Sequence, residues 1–463
     1  MKVAIILCAG EGTRMKSNLP KVLHKVSGEA LSSHVIDSCR DAGIDKIVLV
    51  CGYKKEKVIE YYKDENVLFA IQEIGPNAPY GTGFAVMCAD EFYKDDDTVI
   101  VLNGDAPLIT KETIEEFLDF HEKNSYVSTV LTAKVKDPYG YGRIVRNESL
   151  SVERIVEEKD ATELEKKIHE INSGIFAFSG KVLRDYLKKL DTNNAQGELY
   201  LTDILGKLTE DNVPVGAYIA KDSNEIMGAN SRLELEELER LFNRRNIVKL
   251  MENGVSFINM DQVVVEKNVE IGEDSVIYPG VVLQGNTKIG KNVLIYGNSR
   301  IDNSIIGNDV KIDSSTIEDS EVGDETTIGP NAHLRPKSKI GKKVKLGNFV
   351  EVKNSTLGDG TKASHLAYIG DADVGSNVNI GCGVIFVNYD GKNKFRSVVH
   401  DHGFVGSNSN IVAPVEIEEY GYVAAGSTIT KNVSKFQLSI ERSHQKNIDD
   451  WVKRKGLGGE KWI

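Results

Sequence analysis

The stretch EIGEDSVIYPGVVLQGNTKIGKNVLIYGNSRI (270–301) carries an aliphatic residue at every sixth position: Ile271, Ile277, Leu283, Ile289, Ile295 and Ile301. Five-residue steps then reset the count at Ile306, Ile317 and Val322, with Ile312 keeping the longer step between the first two. The register resumes at Ile328, Leu334, Ile340, Leu346 and Val352, and runs on through Leu357, Ala363, Ile369, Val374, Ile380 and Phe386. After a polar break come Val399, Val405, Ile411, Ile417, Val423 and Ile429. A period of six fits neither an amphipathic helix nor an alternating strand. It fits a solenoid with one short strand per hexapeptide and three per coil, each aliphatic residue pointing into a prism and stacking on the one a coil earlier. The expected fold is an all-β, left-handed parallel β-helix. A Gly often follows the inward residue, as at Gly272 and Gly290, where it would tolerate a tight corner. A β-sandwich also has short strands at turn-bounded spacing, but it would not keep step over such a length.

Working outward, the 463 residues suit two or three domains. The net charge of −12 is spread rather than blocked, which argues against a nucleic-acid partner. Any phosphate ligand would need local basic groups. The five cysteines (Cys8, Cys39, Cys51, Cys88, Cys382) are scattered and lack metal spacing, so a reducing, cytoplasmic setting is expected. The amino terminus reads as a core strand rather than a signal peptide. No apolar run approaches a membrane span.

Residues 1–228 alternate strand and helix. The runs VAIILC (3–8), KIVLVCG (46–52), TVIVLNGD (98–105) and VSTVLTA (127–133) read as buried parallel strands. Helical segments at 81–92 and 111–123 lie between them. The pattern predicts a Rossmann-like α/β domain with a mostly parallel sheet. A charged helix at 229–252, with Leu238, Leu241, Val248 and Met251 as its apolar positions, reads as a linker. The β-helix domain occupies 253–463, ending in a basic tail with helix expected near 448–455.

Directly after the first strand comes LCAGEGTRM, then Pro20-Lys21. Gly10 and Gly12 would let backbone N–H groups approach phosphate oxygens, and Arg14 and Lys21 would add charge. The spacing is neither a Walker loop nor G-x-G-x-x-G. The fourth strand ends in LNGDAPL, so Asp105 stands at the carboxyl end of a parallel strand, where such sheets place ligands. A hard Mg²⁺ brought by a nucleoside triphosphate prefers one or two such carboxylates.

This pair of motifs resembles the sugar-1-phosphate nucleotidyltransferases. The resemblance implies that Leu7, Ala9, Gly10, Arg14, Lys21 and Asn103 meet the nucleotide, and that Gln72, Gly81 and Thr82 lie in the uracil-reading segment. It implies sugar contacts from GYGRIVR (Gly140), IVEEKDAT (Glu157) and EINSGI (Asn172), with NNAQGELYLTDI (193–204) following. It makes Asp105 and Asn230 the Mg²⁺ ligands.

Inside the β-helix, Arg335 and Lys353 are one coil apart, so their side chains should emerge on one edge as a cationic clamp for phosphate. His365 and Tyr368 follow on the next coil. The polar break VNYDGKNK (Asn388, Tyr389, Lys392) reads as an excursion from the prism, and excursions from rigid scaffolds often carry function. Asn379, Cys382, Ser407, Ala425 and Arg442 complete the series. These segments resemble the acetyltransferase half of the bifunctional N-acetylglucosamine-1-phosphate uridyltransferase/glucosamine-1-phosphate acetyltransferase family, and the two halves together cover nearly the whole chain.

The family resemblance implies acetyl transfer from acetyl-CoA to glucosamine-1-phosphate, with His365 as general base. Uridylyl transfer from UTP to the acetylated product then follows. It also implies a homotrimer with acetyltransferase sites built from neighbouring chains, and no nucleic-acid or membrane partner. Four departures fall in the uridyltransferase half. Ser27-Gly28-Glu29-Ala30-Leu31 replaces a Gly-x-Pro-Met turn. Gln72 and Gly81 are nine apart, with Pro76 and Pro79 between them. Phe84 stands where His is usual, and Ala106 stands where Thr is usual. They bear on nucleotide choice and rate. Three other readings stay open: another sugar nucleotidyltransferase with a β-helix, an acetyltransferase with an impaired or retargeted first domain, and a regulatory subunit. The last should have lost Arg14, Lys21 or Asp105, and all three are present.

Overall fold

A computed structural model describes residues 1–75, 78–148 and 151–457. The chain divides into two compact units, Met1–Phe242 and Asn243–Ile463.

The first unit opens with β1 (Lys2–Cys8), a short hairpin of β2 (Lys25–Val26) and β3 (Glu29–Ala30), α1 (Leu31–Asp41), β4 (Lys46–Cys51), α2 (Lys55–Tyr62) and β5 (Leu68–Ile71). Then come α3 (Thr82–Met87), β6 (Thr98–Asn103), α4 (Lys111–Lys123), β7 (Ser128–Lys134), β8 (Arg143–Arg146), β9 (Val152–Val156) and β10 (Glu170–Ser179). It closes with α5 (Gly180–Leu187), α6 (Asp203–Glu210), β11 (Gly216–Ile219) and the first half of α7 (Arg232–Glu252). The sheet order is β11-β7-β10-β6-β1-β4-β5. Its strands are apolar throughout because both faces are covered. Along β1, Ala4 and Ile6 enter one core while Val3 and Ile5 enter the other.

Two expectations need correction here. VSTVLTA forms a buried strand, β7, parallel to β11, but an unanticipated strand, β10, runs antiparallel between it and β6. The helix expected over 81–92 ends as α3 at Met87, and a separate 3₁₀ turn covers Asp90–Phe92.

The helix expected over 229–252 forms as α7, and the expected apolar positions hold in its first half, at Leu238 and Leu241, but not in its second. Leu238 and Phe242 are buried in one cluster with Val26, Leu31, Leu108 and Ala229. Ile247 and Leu250 are buried with the first coil of the β-helix. Val248 and Met251 are exposed, because the buried stripe changes angle between the two halves of the helix.

The second unit is a parallel β-helix. Ile271 pairs with Ile289, Ile277 with Ile295 and Leu283 with Ile301, one coil on, and the same parallel registers carry through to Ile429. Every inward residue named from the repeat is buried. The glycines that follow them serve a different purpose from the one expected. A Cβ on Gly272 would come within 2.7 Å of the Gly290 backbone on the next coil, so close approach of coils excludes a side chain there. The left-handed corners fall on other glycines, such as Gly280 and Gly285, and among the remaining residue types most often on Asn and Asp, including Asn292, Asn298, Asp309, Asn354 and Asp371, which tolerate that conformation best after glycine. Two strands, Lys345–Lys353 and Lys362–Gly370, continue round a corner without a break. The tail holds one helical turn, Trp451–Arg454. Among the described residues, no helix is long and apolar enough to cross a membrane.

Candidate active sites

In the first unit the site forms at the carboxyl ends of β1 and β6. Leu7 pairs with Asn103 across these strands, and Gly104 N–H donates to the Leu7 carbonyl at 3.0 Å. A Cβ on Gly104 would meet the Cys8 sulfur and the Leu7 carbonyl, so the strand end is pressed against β1. Ala9 is pinned by Tyr53 N–H to its carbonyl (3.1 Å). Gly10 has open space around it, as backbone presented to a ligand requires. Gly12, at φ +64°, leaves room for the Lys21 stem 2.8 Å from where its Cβ would lie.

The Lys21 ammonium then donates to Asp105 Oδ2 and, at 3.0 Å, to Asn230 Oδ1. These three residues come from distant parts of the chain and meet on one cation. Two hard oxygen donors already hold a positive group there, and that donor set suits Mg²⁺ completed by substrate phosphates. The N-cap of α7 fixes Asn230: Ser231 Oγ accepts from Glu234 N–H, and the Glu234 carboxylate accepts from Asn230 N–H. Arg14 stands exposed on a 3₁₀ turn and makes no contact with this group.

The segments expected to read the base and the sugar are each held by contacts of their own. Gly81, at φ +114°, packs where any Cβ would strike the Leu199 backbone. Leu199 N–H donates to the Tyr80 carbonyl, Gly83 N–H to the Leu199 carbonyl, and Leu201 N–H to Thr82 Oγ1. The 193–204 segment therefore clamps the Gly-Thr-Gly turn. Gln72 is buried, its N–H on the Cys51 carbonyl. Of the insertion between them, Pro76 lies outside the described residues. A bulge follows Asn172 in β10 and brings Gly174 against the Asn103 side chain, whose Nδ2 donates to the Ser173 carbonyl at 3.0 Å. Ala106, next to Asp105 in sequence, is buried.

Glu157 follows β9. Burial raises its carboxyl above the usual range, and Asp203 and Asp160 add to the rise against a Thr202 hydrogen bond and the Arg143 charge. Next to it lies a contact that motif reading does not single out. The Glu158 carboxylate accepts from Arg143 Nη2 at 2.7 Å and from Gly140 N–H at 3.1 Å, while Arg143 Nη1 donates to the Tyr141 carbonyl. The buried guanidinium thus straps the Gly140–Gly142 loop to the end of β9.

In the second unit the coil registers do the assembling. Arg335 and Lys353 fall on neighbouring coils in step, and Arg335 N–H donates to the Val352 carbonyl. The Arg335 guanidinium is paired with Glu351 at 2.8 Å, which holds it above its usual pKa. Asn348 pairs with His365, and the parallel registers carry that corner on to Cys382, Ser407 and Ala425. This column is exposed from His365 onward, and Arg442 Nη1 donates to the Ala425 carbonyl at its end (2.9 Å). Asn379 sits on the strand before the corner and Tyr368 on the strand after it.

The excursion folds back as a small hairpin: Tyr389 bridges to Lys394, and Asp390 accepts from Lys392 and Asn393 N–H. It is therefore Lys394, not Lys392, that returns to Lys353. The neighbouring Lys353 ammonium, through its close approach and its charge, lowers the Lys394 ammonium. The Asp-Gly-Lys-Asn turn at 390–393 was the signal for this, since such a turn returns the chain on itself. Asn388 Nδ2 reaches Tyr368 Oη at 3.3 Å.

A family described as Nucleotidyl transferase matches residues 3–233, and one described as Bacterial transferase hexapeptide (six repeats) matches residues 319–354. The curated protein "Bifunctional protein GlmU" of Alkaliphilus metalliredigens is 50% identical over 457 residues, 98% of this chain and 99% of the relative. The proteins of the same name from Clostridioides difficile (50%, 98% and 97% covered) and Clostridium novyi (51%, 98% and 99% covered) align equally far. The chain belongs to the GlmU family. Like that family it is a bifunctional enzyme of UDP-N-acetylglucosamine synthesis, a glucosamine-1-phosphate acetyltransferase and an N-acetylglucosamine-1-phosphate uridyltransferase. A full-length match at this identity, with Lys21, Asp105 and Asn230 converging, does not favour an impaired first domain.

Proposed function

We propose that each activity belongs to one part of the chain: uridylyl transfer to residues 1–228, acetyl transfer to residues 253–463, with 229–252 as the linker. The observation that carries the first assignment is the convergence of Asp105 and Asn230 on the Lys21 ammonium. Asp105 and Asn230 would hold Mg²⁺, which supplies charge neutralisation on the triphosphate when bound. Arg14, Lys21 and the backbone of Leu7, Ala9 and Gly10 hold UTP, and Gln72, Gly81 and Thr82 face the base. Asn103 meets the nucleotide as well, and Gly140, Glu157 and Asn172 orient the sugar. A phosphate oxygen of N-acetylglucosamine-1-phosphate attacks the α-phosphorus and pyrophosphate leaves; alignment and charge carry this step rather than a side-chain base.

For acetyl transfer, the exposed column from His365 to Ala425 supports the assignment. Arg335 and Lys353 hold the sugar phosphate, while Tyr368, Asn379, Asn388 and Tyr389 position the ring. The sugar nitrogen attacks the thioester carbonyl, His365 accepts the nitrogen's proton, and CoA departs as the thiol after protonation. Cys382, Ser407, Ala425 and Arg442 contact acetyl-CoA. Their exposure on one chain supports a homotrimer in which a neighbouring copy closes the site. The unpaired thiols of all five cysteines support a cytoplasmic enzyme.

The test uses the full chain and two variants. Asp105→Ala should abolish pyrophosphate release from UTP and N-acetylglucosamine-1-phosphate while CoA release from acetyl-CoA and glucosamine-1-phosphate continues. His365→Ala should do the reverse. Loss of both activities in either variant would refute separate sites.

A further inference from the structure

Asp371 lies between two asparagines, Asn354 and Asn388, each 17 residues away along the chain and one coil away in space. The three form a column of amide, carboxylate and amide. Asn354 Nδ2 donates to Asp371 Oδ1, and Asn388 Nδ2 donates to Asp371 Oδ2 at 2.5 Å. Asp371 as a residue is only 7% exposed. Its own backbone is held on both sides: Asp371 N–H donates to the Lys353 carbonyl at 3.0 Å, and Ser397 N–H donates to the Asp371 carbonyl at 3.2 Å. Asp371 sits in the left-handed region at φ +50°, where the corner of the coil turns. The far end of the excursion is fastened beside it, since the Arg396 guanidinium binds the Asp373 carboxylate and the carbonyls of Asn354 and Ala372.

We infer that Asp371 is a positioning residue of the acetyltransferase site, setting the orientation of Asn388 and the spacing of Lys353 and the excursion around glucosamine-1-phosphate. This rests on the reading of Lys353, Tyr368 and Asn388 as substrate contacts. An ionised carboxylate only accepts hydrogen bonds. Asn388 must therefore turn its NH₂ group inward to Asp371, where Nδ2 also meets Tyr368 Oη. Its carbonyl oxygen is then left facing away as an acceptor for a hydroxyl or amino hydrogen of the sugar. Without the carboxylate, either amide orientation is open and half of them present the wrong group. The negative charge has a second effect. The Lys353 and Lys394 ammoniums stand close enough to repel, and Asp371 is the carboxylate that both of them face. Burial would push its carboxyl up, but the Asn354 and Asn388 donors and the two lysines hold it down.

The test is Asp371→Asn in the full chain, which keeps shape and removes the obligatory acceptor. The KM for glucosamine-1-phosphate should rise about 10- to 100-fold, the range for a lost charge-assisted hydrogen bond. The kcat and the KM for acetyl-CoA should hold within about threefold, with pyrophosphate release unchanged. If Asp371 acts through Asn388, the same change on an Asn388→Ala background should add little. Asn354→Ala removes the amide on the side away from the excursion and should leave the KM near the parent value. An unchanged KM in Asp371→Asn, additive effects with Asn388→Ala, or equal losses in Asn354→Ala and Asp371→Asn would each overturn the inference. A Lys353→Ala control separates the two levels. If it too leaves the KM unmoved, the substrate-site reading has failed. If it raises the KM while Asp371→Asn does not, only the role of Asp371 has failed.

Discussion

Glu158→Ala should disable the sugar side of the uridyltransferase site without touching any group assigned to the chemistry. The Arg143 side chain is 1% exposed and its partner carboxylate 21% exposed. Its Nε has no hydrogen-bond partner, and Nη1 is committed to the Tyr141 carbonyl. Truncating Glu158 leaves a buried guanidinium without its hydrogen-bonded counter-charge, with only the Glu157 carboxyl still nearby, and releases Gly140 N–H at the same time. Breaking a fully buried pair costs about 3–5 kcal/mol, whereas an exposed pair is worth about 0–1 kcal/mol. With one partner dry and the other partly wet, about 2–3 kcal/mol is expected. The loop at Gly140–Gly142 can relieve that cost by leaving its place, so the penalty falls on the binding-competent population. The KM for N-acetylglucosamine-1-phosphate should then rise about 30- to 150-fold, with the KM for UTP within about threefold. Glu158→Gln keeps an acceptor for Gly140 and should lie between. Pyrophosphate release across a sugar-phosphate titration measures this, with CoA release as the control. A shift below threefold with an unchanged melting transition would refute the argument that the strap holds the loop. Equal losses in both activities would mean that the pair stabilises the whole unit instead.

Asp203 gives a pH prediction. Burial, with Asp191 and Asp160 nearby and Lys207 opposing, pushes its carboxyl up to about 6 from an ordinary value of 3.8. The folded state therefore binds this proton more tightly than the unfolded one, so ionisation costs stability that is absent below about pH 4 and complete above about pH 6. Its place at the amino end of α6 offsets part of the penalty. Asp203→Asn should stabilise the first unit by about 1–2 kcal/mol at pH 7 and by nothing at pH 4; urea melts at both values decide, and an equal effect at both refutes it. In the β-helix, Ile312 is fully buried between Ile295 and Ile328 of adjacent coils. Ile312→Ala should cost about 2–5 kcal/mol, and the neighbouring outward change Lys311→Ala less than about 1 kcal/mol. Equal denaturation midpoints for the two would contradict inward stacking.

The β-helix was legible because its period is written in the inward residues, and every one of them is buried. What the period did not contain was the reason for the glycines. Crowding by the next coil depends on which backbones touch, whereas the left-handed corners are marked by other glycines and by Asn and Asp. The linker helix shows a similar limit. Its apolar residues can be arranged on more than one stripe, and only the two cores it enters select Phe242, Ile247 and Leu250 over Val248 and Met251. The strand β10 was hidden because its bulge at Asn172–Phe176 interrupts an otherwise apolar run.

The two sites differ in how far sequence reasoning could reach, and the reason is topological. Lys21 meets partners 84 and 209 residues away; no spacing rule joins them, and only the paired motifs did so. In the β-helix, positions that stack recur at almost constant intervals, so coil arithmetic alone aligned Arg335 with Lys353. The same arithmetic should have aligned Asn354, Asp371 and Asn388, which are equally spaced. That column lies outside the inward aliphatic period, and its last member, Asn388, stands directly before the polar excursion, so its own polarity does not set it apart. Once the column is laid out, the excursion is a loop hung from a buried carboxylate rather than an independent binding element. On that view, changes within 390–393 should be tolerated better than the loss of Asp371, since the turn can rebuild itself around any Gly-containing sequence while the neighbouring Asp373 carboxylate is already held by Arg396.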